Sequence, residues 1–149
     1  MDKMIDHDLL QIGANLMKHS NWEVREQAAI FVGNFATSKR AREIFHFAFP
    51  KLKELLEDSV LEVRESVAKA FKLLSHSDDG CQRIVESGCA EAMIHSFIRH
   101  SKDGKSMKKE DGIYLIHLLE AFANLTFSDY GIEPVLGKSA VVTFNTIIS

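Results

Sequence analysis

Ser75-His76-Ser77-Asp78 places hydroxyls, an imidazole and a carboxylate in four consecutive residues, the side-chain types of a nucleophile with its base and orienting acid. A working relay needs those groups to converge, and neighbours on one turn point apart. No glycine-framed nucleophile elbow accompanies them, so the stretch reads as the end of one helix and the cap of the next. Seven histidines offer metal-ligand chemistry. His95 and His100, however, are five residues apart, whereas a helical ligand pair is four apart, and no Cys or carboxylate completes a set. His117, inside YLIHLLEAF, reads as a packing residue beside an apolar face. Gly13, Gly33 and Gly80 stand alone, outside any phosphate-cradling or dinucleotide pattern. The expectation is a protein that is not an enzyme, with no catalytic residue, cofactor or metal.

Cys81 and Cys89 match neither a CxxC redox pair nor half of a common zinc site, and both read as reduced thiols. Cys89, at the start of an apolar stretch, reads as a small buried hydrophobe. The stretch SKDGKSMKKEDG at 101–112 has four lysines, which suits a phosphate or an acidic partner. Asp103, Glu110 and Asp111 nearly neutralise it, and it reads as a solvated loop inserted within a helical unit.

The elements that position these groups follow from composition and periodicity. The chain has 149 residues, with 46% hydrophobic and 26% charged residues, near ordinary globular values. One domain spanning 1–149 is expected. A formal net charge of -3 gives no electrostatic reason to expect nucleic acid or an anionic membrane surface. No apolar run reaches the roughly 18 residues of a spanning helix. The start MDKMIDHDLL has three Asp where a signal peptide is cationic, so a cytoplasmic location is expected.

NWEVREQAAIFVGNFATS, from Asn21, has a relation 39 residues on in VLEVRESVAKAFKLLSHS, from Val60. The overlay sets Ala29 on Ala68, Val32 on Phe71, Phe35 on Leu74 and Phe45 on Ile84. Apolar positions recur at intervals of three and four, the mark of amphipathic helices. YLIHLLEAFANLTFS is a third copy, with Phe122 on Phe71 and the 101–112 stretch accounting for the longer offset. Between the long helices, FPKLKELLEDS begins with Pro50 in a first turn, and DDGCQRIVESG can stop at Gly88. The repeating unit is a short helix, a medium helix and a long helix opened by EVRE. Such units cannot bury their faces alone, so an all-α solenoid of about three to three and a half repeats is expected, at 1–47, 48–87, 88–128 and, in part, 129–149.

These residues resemble the armadillo/HEAT superfamily over nearly the whole chain. IVESGCAEAMIHSFI is similar to the armadillo pattern of a glycine-ended short helix before an apolar one, and FVGNFAT and EAFANLT look like the armadillo long-helix ending. DSVLEVRESVAKAF is equally typical of HEAT repeats. FPKLKELLEDSVLEVRESV followed by IVESGCAEAM also resembles the armadillo proteins of ciliary radial spoke heads.

The resemblance implies that the long helices line a concave groove. Armadillo proteins that bind extended basic peptides have a Trp and, four residues later, an Asn on successive inner helices. Here the Asn positions hold Asn34, Leu73 and Asn124, and the Trp positions hold Ile30, Lys69 and Glu120. The aromatic ladder is missing, and Trp22 sits at a helix start, so import-type recognition of nuclear localisation peptides is not expected. The implied inner stripe is Glu23, Glu26, Ile30 and Asn34, then Glu62, Glu65, Lys69 and Leu73, then His117, Glu120 and Asn124. It suits a basic or amphipathic protein segment, with the asparagines pairing its backbone; the alternative is that the glutamates solvate the helices and pair with nearby Lys or Arg. Arg25 and Arg64, at the HEAT arginine position, are expected to form a ladder with Asp58 or a neighbouring acid.

Two functions follow from the resemblance: a non-catalytic scaffold presenting this groove to a partner protein, or a structural subunit of a larger assembly, including a ciliary one. At the end of the sequence, GKSAVVTFNTIIS read as a helix puts Ala140, Val141, Phe144, Ile147 and Ile148 on one broad face. The expectation is that either the native chain continues beyond Ser149 or self-association or a partner covers this face.

Overall fold

The computed structural model describes residues 3–101 and 111–128, and within them the regular elements are all helical. They are α1 (Lys3–Leu16), α2 (Trp22–Phe35), α3 (Lys39–Arg42), a 3-10 turn (Phe45–Phe47), α4 (Phe49–Leu55), α5 (Leu61–Leu74), α6 (Asp78–Glu86), α7 (Cys89–Ser101) and α8 (Asp111–Phe127). Helix therefore extends into both ends of the 101–112 stretch, whose remaining residues lie outside the described ones, as does the whole of 129–149.

Local chemistry sets most of the boundaries. Asn21 Oδ1 accepts the Glu23 amide at 2.8 Å and starts α2. Ser77 Oγ accepts the Gly80 amide at 3.0 Å and starts α6, so the Ser75–Asp78 stretch is the helix end and cap its sequence suggests. Pro50 occupies the first turn of α4, where its missing N–H is not needed. Gly88 has φ +78°, in the left-handed region that favours glycine, and turns the chain from α6 into α7.

The three long helices lie side by side in the order α2, α5, α8, with α1 packed on α2. The shorter helices repeat the arrangement: α3 meets α6, and α4 meets α7. From α2 to α8, each helix thus touches one that matches it in the sequence overlay. Burial follows the overlay at three of its four pairs, for Ala29, Ala68, Val32, Phe71, Phe45 and Ile84 are all 0% exposed, whereas Phe35 is only partly buried where Leu74 is fully so. Excluding water from each of the large apolar side chains contributes about 1.5–3 kcal/mol. At Gly33 the α2 and α5 backbones come close: a Cβ there would lie 3.0 Å from the Ala70 Cβ.

Polar ties cross the core at chosen points. Arg25 grips Asp58 with two bonds, Nε to Oδ2 at 2.8 Å and Nη2 to Oδ1 at 3.1 Å, and also donates through Nη1 to the carbonyls of His19 and Ser20. It therefore fastens the α1–α2 turn to the α4–α5 turn, as the expected ladder requires. Arg64 departs from that expectation. Its Nη1 donates to the Asp58 carbonyl at 2.7 Å and its guanidinium lies over the Tyr114 ring, 5.6 Å from the centroid, while among the described residues it pairs with no acid. The reason is local: Tyr114 occupies the space beside it on α8.

Tyr114 is fully buried, and its hydroxyl meets Ser96 Oγ and the Leu56 carbonyl, knotting α8, α7 and the end of α4 together. Burial pushes its pKa up to about 12. Cys81 and Cys89 are free and buried, as their sequence context suggests, and burial raises both thiols. Arg42 and Cys81, 39 residues apart, do the same job in successive units: each donates to the carbonyl six residues earlier, Ala36 at 2.8 Å and Ser75 at 3.2 Å.

Candidate interaction surface

The residues of the expected stripe lie on α2, α5 and α8, each at least partly open to solvent. Glu23, Ile30 and Asn34 on α2 are exposed, as are Glu62 and Lys69 on α5, while Glu26, Glu65, Leu73, His117, Glu120 and Asn124 are half-buried. Ile30, Asn34, Lys69 and Leu73 come together. They line a shallow cleft between α2 and α5 whose floor is Ala29, Gly33, Ser66 and Ala70. Small floor residues allow the helices to approach, and longer side chains form the rims. The cleft offers two apolar groups, one amide and one cation within reach of a single extended segment.

The α8 part of the stripe is engaged with α5. Asn124 Nδ2 donates to Ser75 Oγ at 3.0 Å, and Ser75 Oγ in turn donates to the Lys72 carbonyl at 2.7 Å. Glu120 pairs with Lys72 at 2.6 Å, and this contact holds the Glu120 carboxyl below its ordinary pKa. Burial, then the Lys72 charge, lowers the His117 pKa, so its imidazole is biased toward the neutral form. Two side chains assigned to a ligand thus stitch one seam of the fold, which is the pairing the glutamate alternative anticipates for Glu120.

A second concavity has no counterpart in the sequence reading. Between α1 and α2 an open cleft of about 460 Å³ is lined by Leu9, Ile12, Leu16, Val24, Ala28 and Phe31, with Glu23 and Gln27 at its edge. The signal was present in α1. Leu10, Ala14 and Met17 form its buried stripe, yet Leu9, Ile12 and Leu16 form another at the same spacing and are 36%, 55% and 41% exposed. A helix with two apolar stripes has one more face than a single neighbour covers. The outer side of α8 is similar: Ile113, Ile116, Leu119 and Phe127 are 50–89% exposed. Val141, Phe144, Ile147 and Ile148, the expected association face, lie outside the described residues.

Among the described residues no group of three or more His, Cys, Asp or Glu could hold a metal ion, and no helix is long and apolar enough to cross a membrane. No family model matches the chain, and no curated protein matches it. A solved structure does. The chain is similar to the crystal structure of an engineered protein with a TM-score of 0.73 at 20% identity, over 90% of this chain and 53% of that one. At that identity the likeness is one of fold alone: helices packed in the same arrangement, with this chain spanning about half the length of its neighbour.

Proposed function

We propose that the chain is an armadillo/HEAT-like α-solenoid that binds a segment of a partner protein, without catalysis, along the concave side formed by α2, α5 and α8. The observation that supports this reading most is the α2–α5 cleft, where Ile30, Asn34, Lys69 and Leu73 converge from two matching helices. An extended segment lying across matching helices meets similar positions at each step, which is how repeat folds recognise unfolded partners. Glu23 and Glu26 on α2 and Glu62 on α5 add negative charge to the same two helices, suiting a basic or amphipathic segment.

The test is a variant that keeps the fold and changes the surface: Ile30→Glu with Asn34→Ala and Lys69→Glu. Exposed substitutions change stability by about 0.5 kcal/mol or less, so melting is expected to stay close to that of the wild type. Capture of native partners, followed by mass spectrometry, is expected to fail. Full capture by this variant would remove the α2–α5 cleft from the binding surface.

The alternative reading, a structural subunit of a larger assembly such as a ciliary one, is favoured by the apolar α1–α2 cleft. A subunit packed end-on would cover Leu9, Ile12, Leu16 and Phe31. Stable co-fractionation with a fixed complex, disrupted by Ile12→Glu and left intact by the Ile30 triple variant, would select it.

A further inference from the structure

The chain beyond α2 and the chain beyond α5 can be compared position by position at the offset of 39. Ser38 and Ser77 cap α3 and α6 in the same way, each accepting the amide three residues on. Arg42 then stands where Cys81 stands. In the first unit the Arg42 guanidinium sits against the end of α2, Nη1 donating to the Ala36 carbonyl and Nε to Asp79, both at 2.8 Å, and its side chain is only 10% exposed. In the second unit the Cys81 thiol keeps the matching carbonyl bond, to Ser75, but is far shorter. A polar pocket of about 240 Å³ lies there, and its lining includes Ser75, His76, Asp78, Cys81, Asn124 and Ser128. Charge changes in step with size, for Lys39 and Arg42 of the first unit are matched by Asp78 and Cys81 of the second.

We propose that this pocket seats an arginine side chain of a partner segment, a guanidinium from outside taking the place that Arg42 fills from within. This deepens the reading of a basic partner segment and rests on it only for the source of the arginine. A guanidinium brings five N–H donors in a rigid fork and needs several acceptors. The lining has them. Asp78 supplies a carboxylate, Asn124 has Oδ1 to offer because its Nδ2 is bonded to Ser75 Oγ, and the Ser75 carbonyl has a second lone pair beside the Cys81 bond. α5 and α8 both end at the pocket, at Leu74 and Phe127, and helix C-terminal ends carry partial negative charge that favours a cation. Lysine fits less well, since an ammonium is a point charge without the planar fork. An anion would meet the Asp78 carboxylate and both helix ends. The start of α6 is the one element that suits an anion, and Ser77 already accepts its Gly80 amide. Asn124 is also the last residue of the expected stripe, so the pocket lies where a segment crossing α5 and α8 would end.

The test is an amide NMR titration of the full chain with Nα-acetyl-arginine methylamide, run beside the lysine compound and the citrulline compound, which keeps the shape of arginine without its charge. The arginine compound is expected to shift the Asn124 side-chain amide and the Gly80 and Ser128 backbone amides saturably, more tightly than the lysine compound, and the citrulline compound to leave them unmoved. Asp78→Asn, at an exposed position in the first turn of α6, is expected to weaken arginine binding about tenfold through loss of a charge-assisted bond. Cys81→Arg, which copies Arg42, is expected to fill the pocket and abolish binding. Melting is measured first on both variants, and Asp78→Asn decides alone where Cys81→Arg does not fold. Equal binding of the lysine or citrulline compound, undiminished affinity in Asp78→Asn, or no saturable shift at these amides would overturn the proposal. The probe is a single amino-acid derivative with no partner present, so the result reads this pocket whether or not the α2–α5 cleft binds a segment.

Discussion

α5 and α8 match in the sequence overlay, yet among the described helices α5 packs against two long helices, α2 and α8, while α8 packs against one, α5. Their residues differ accordingly. Where α5 has Glu65, Ala68 and Lys72, α8 has Ile116, Leu119 and Ala123. The alanine lets its neighbour approach, and Lys72 reaches across the seam to Glu120. The repeat register thus states which side of a helix faces along the row, and residue size and polarity state what that side meets. The two seams of α5 differ as well: toward α2 the Arg25–Asp58 ion pair joins the turns, whereas toward α8 Arg64 lies on the Tyr114 ring.

The largest effect is expected at that difference between seams. Arg25→Ala leaves Asp58, whose side chain is 7% exposed, without its guanidinium, and removes charge-assisted bonds worth about 1.5–3 kcal/mol. Arg64→Ala loses one bond to a carbonyl and a ring contact, about 1–2 kcal/mol together. Urea unfolding of the two variants measures the gap, and equal losses would show that the seams are energetically alike. Next comes a reciprocal exchange. Ala68→Leu forces a leucine into a filled position and is expected to cost about 1–3 kcal/mol. Leu119→Ala, with no described helix beside it, is expected to cost less. A larger loss from Leu119→Ala in the same unfolding experiment would reverse the comparison.

The smallest effect concerns acid. Burial alone would raise the Asp79 carboxyl, but Arg42 and Arg83 more than offset it and hold its pKa below the ordinary 3.8. The folded state therefore binds this proton less readily than the unfolded chain. The stability it contributes is fully present above that ordinary value and is lost as pH falls through the folded one. Asp79→Asn should flatten the decline in melting temperature below about pH 4. An unchanged acid limb would mean that other carboxylates carry it.

The all-helical fold was legible because buried positions repeat: Ala29 with Ala68, Val32 with Phe71, Phe45 with Ile84. Helix starts were legible where a local group makes them, at Pro50 and Ser77. The stripe was legible only as a set of surface positions. That Asn124 turns to Ser75, and Glu120 to Lys72, depends on the angle at which α8 settles on α5, and no spacing along one helix contains that angle. Arg64 taught the same lesson, since its partner is a ring 50 residues away across the inserted stretch. The second apolar stripe of α1 was in plain view, but periodicity counts faces without saying how many are covered.

The Tyr114 hydroxyl, knotted to Ser96 and Leu56, is also a built-in optical gauge. Phenolate absorbs where phenol does not, and the chain has two tyrosines, so subtracting the spectrum of Tyr114→Phe leaves the signal of Tyr114. With its pKa pushed up to about 12, this ring stays dark through mild alkali while α4, α7 and α8 remain joined. An unfolded tyrosine ionises near its ordinary value of 10.0, so absorbance that develops between the two values records the opening of that junction. The three-helix knot can thus be watched without any attached label.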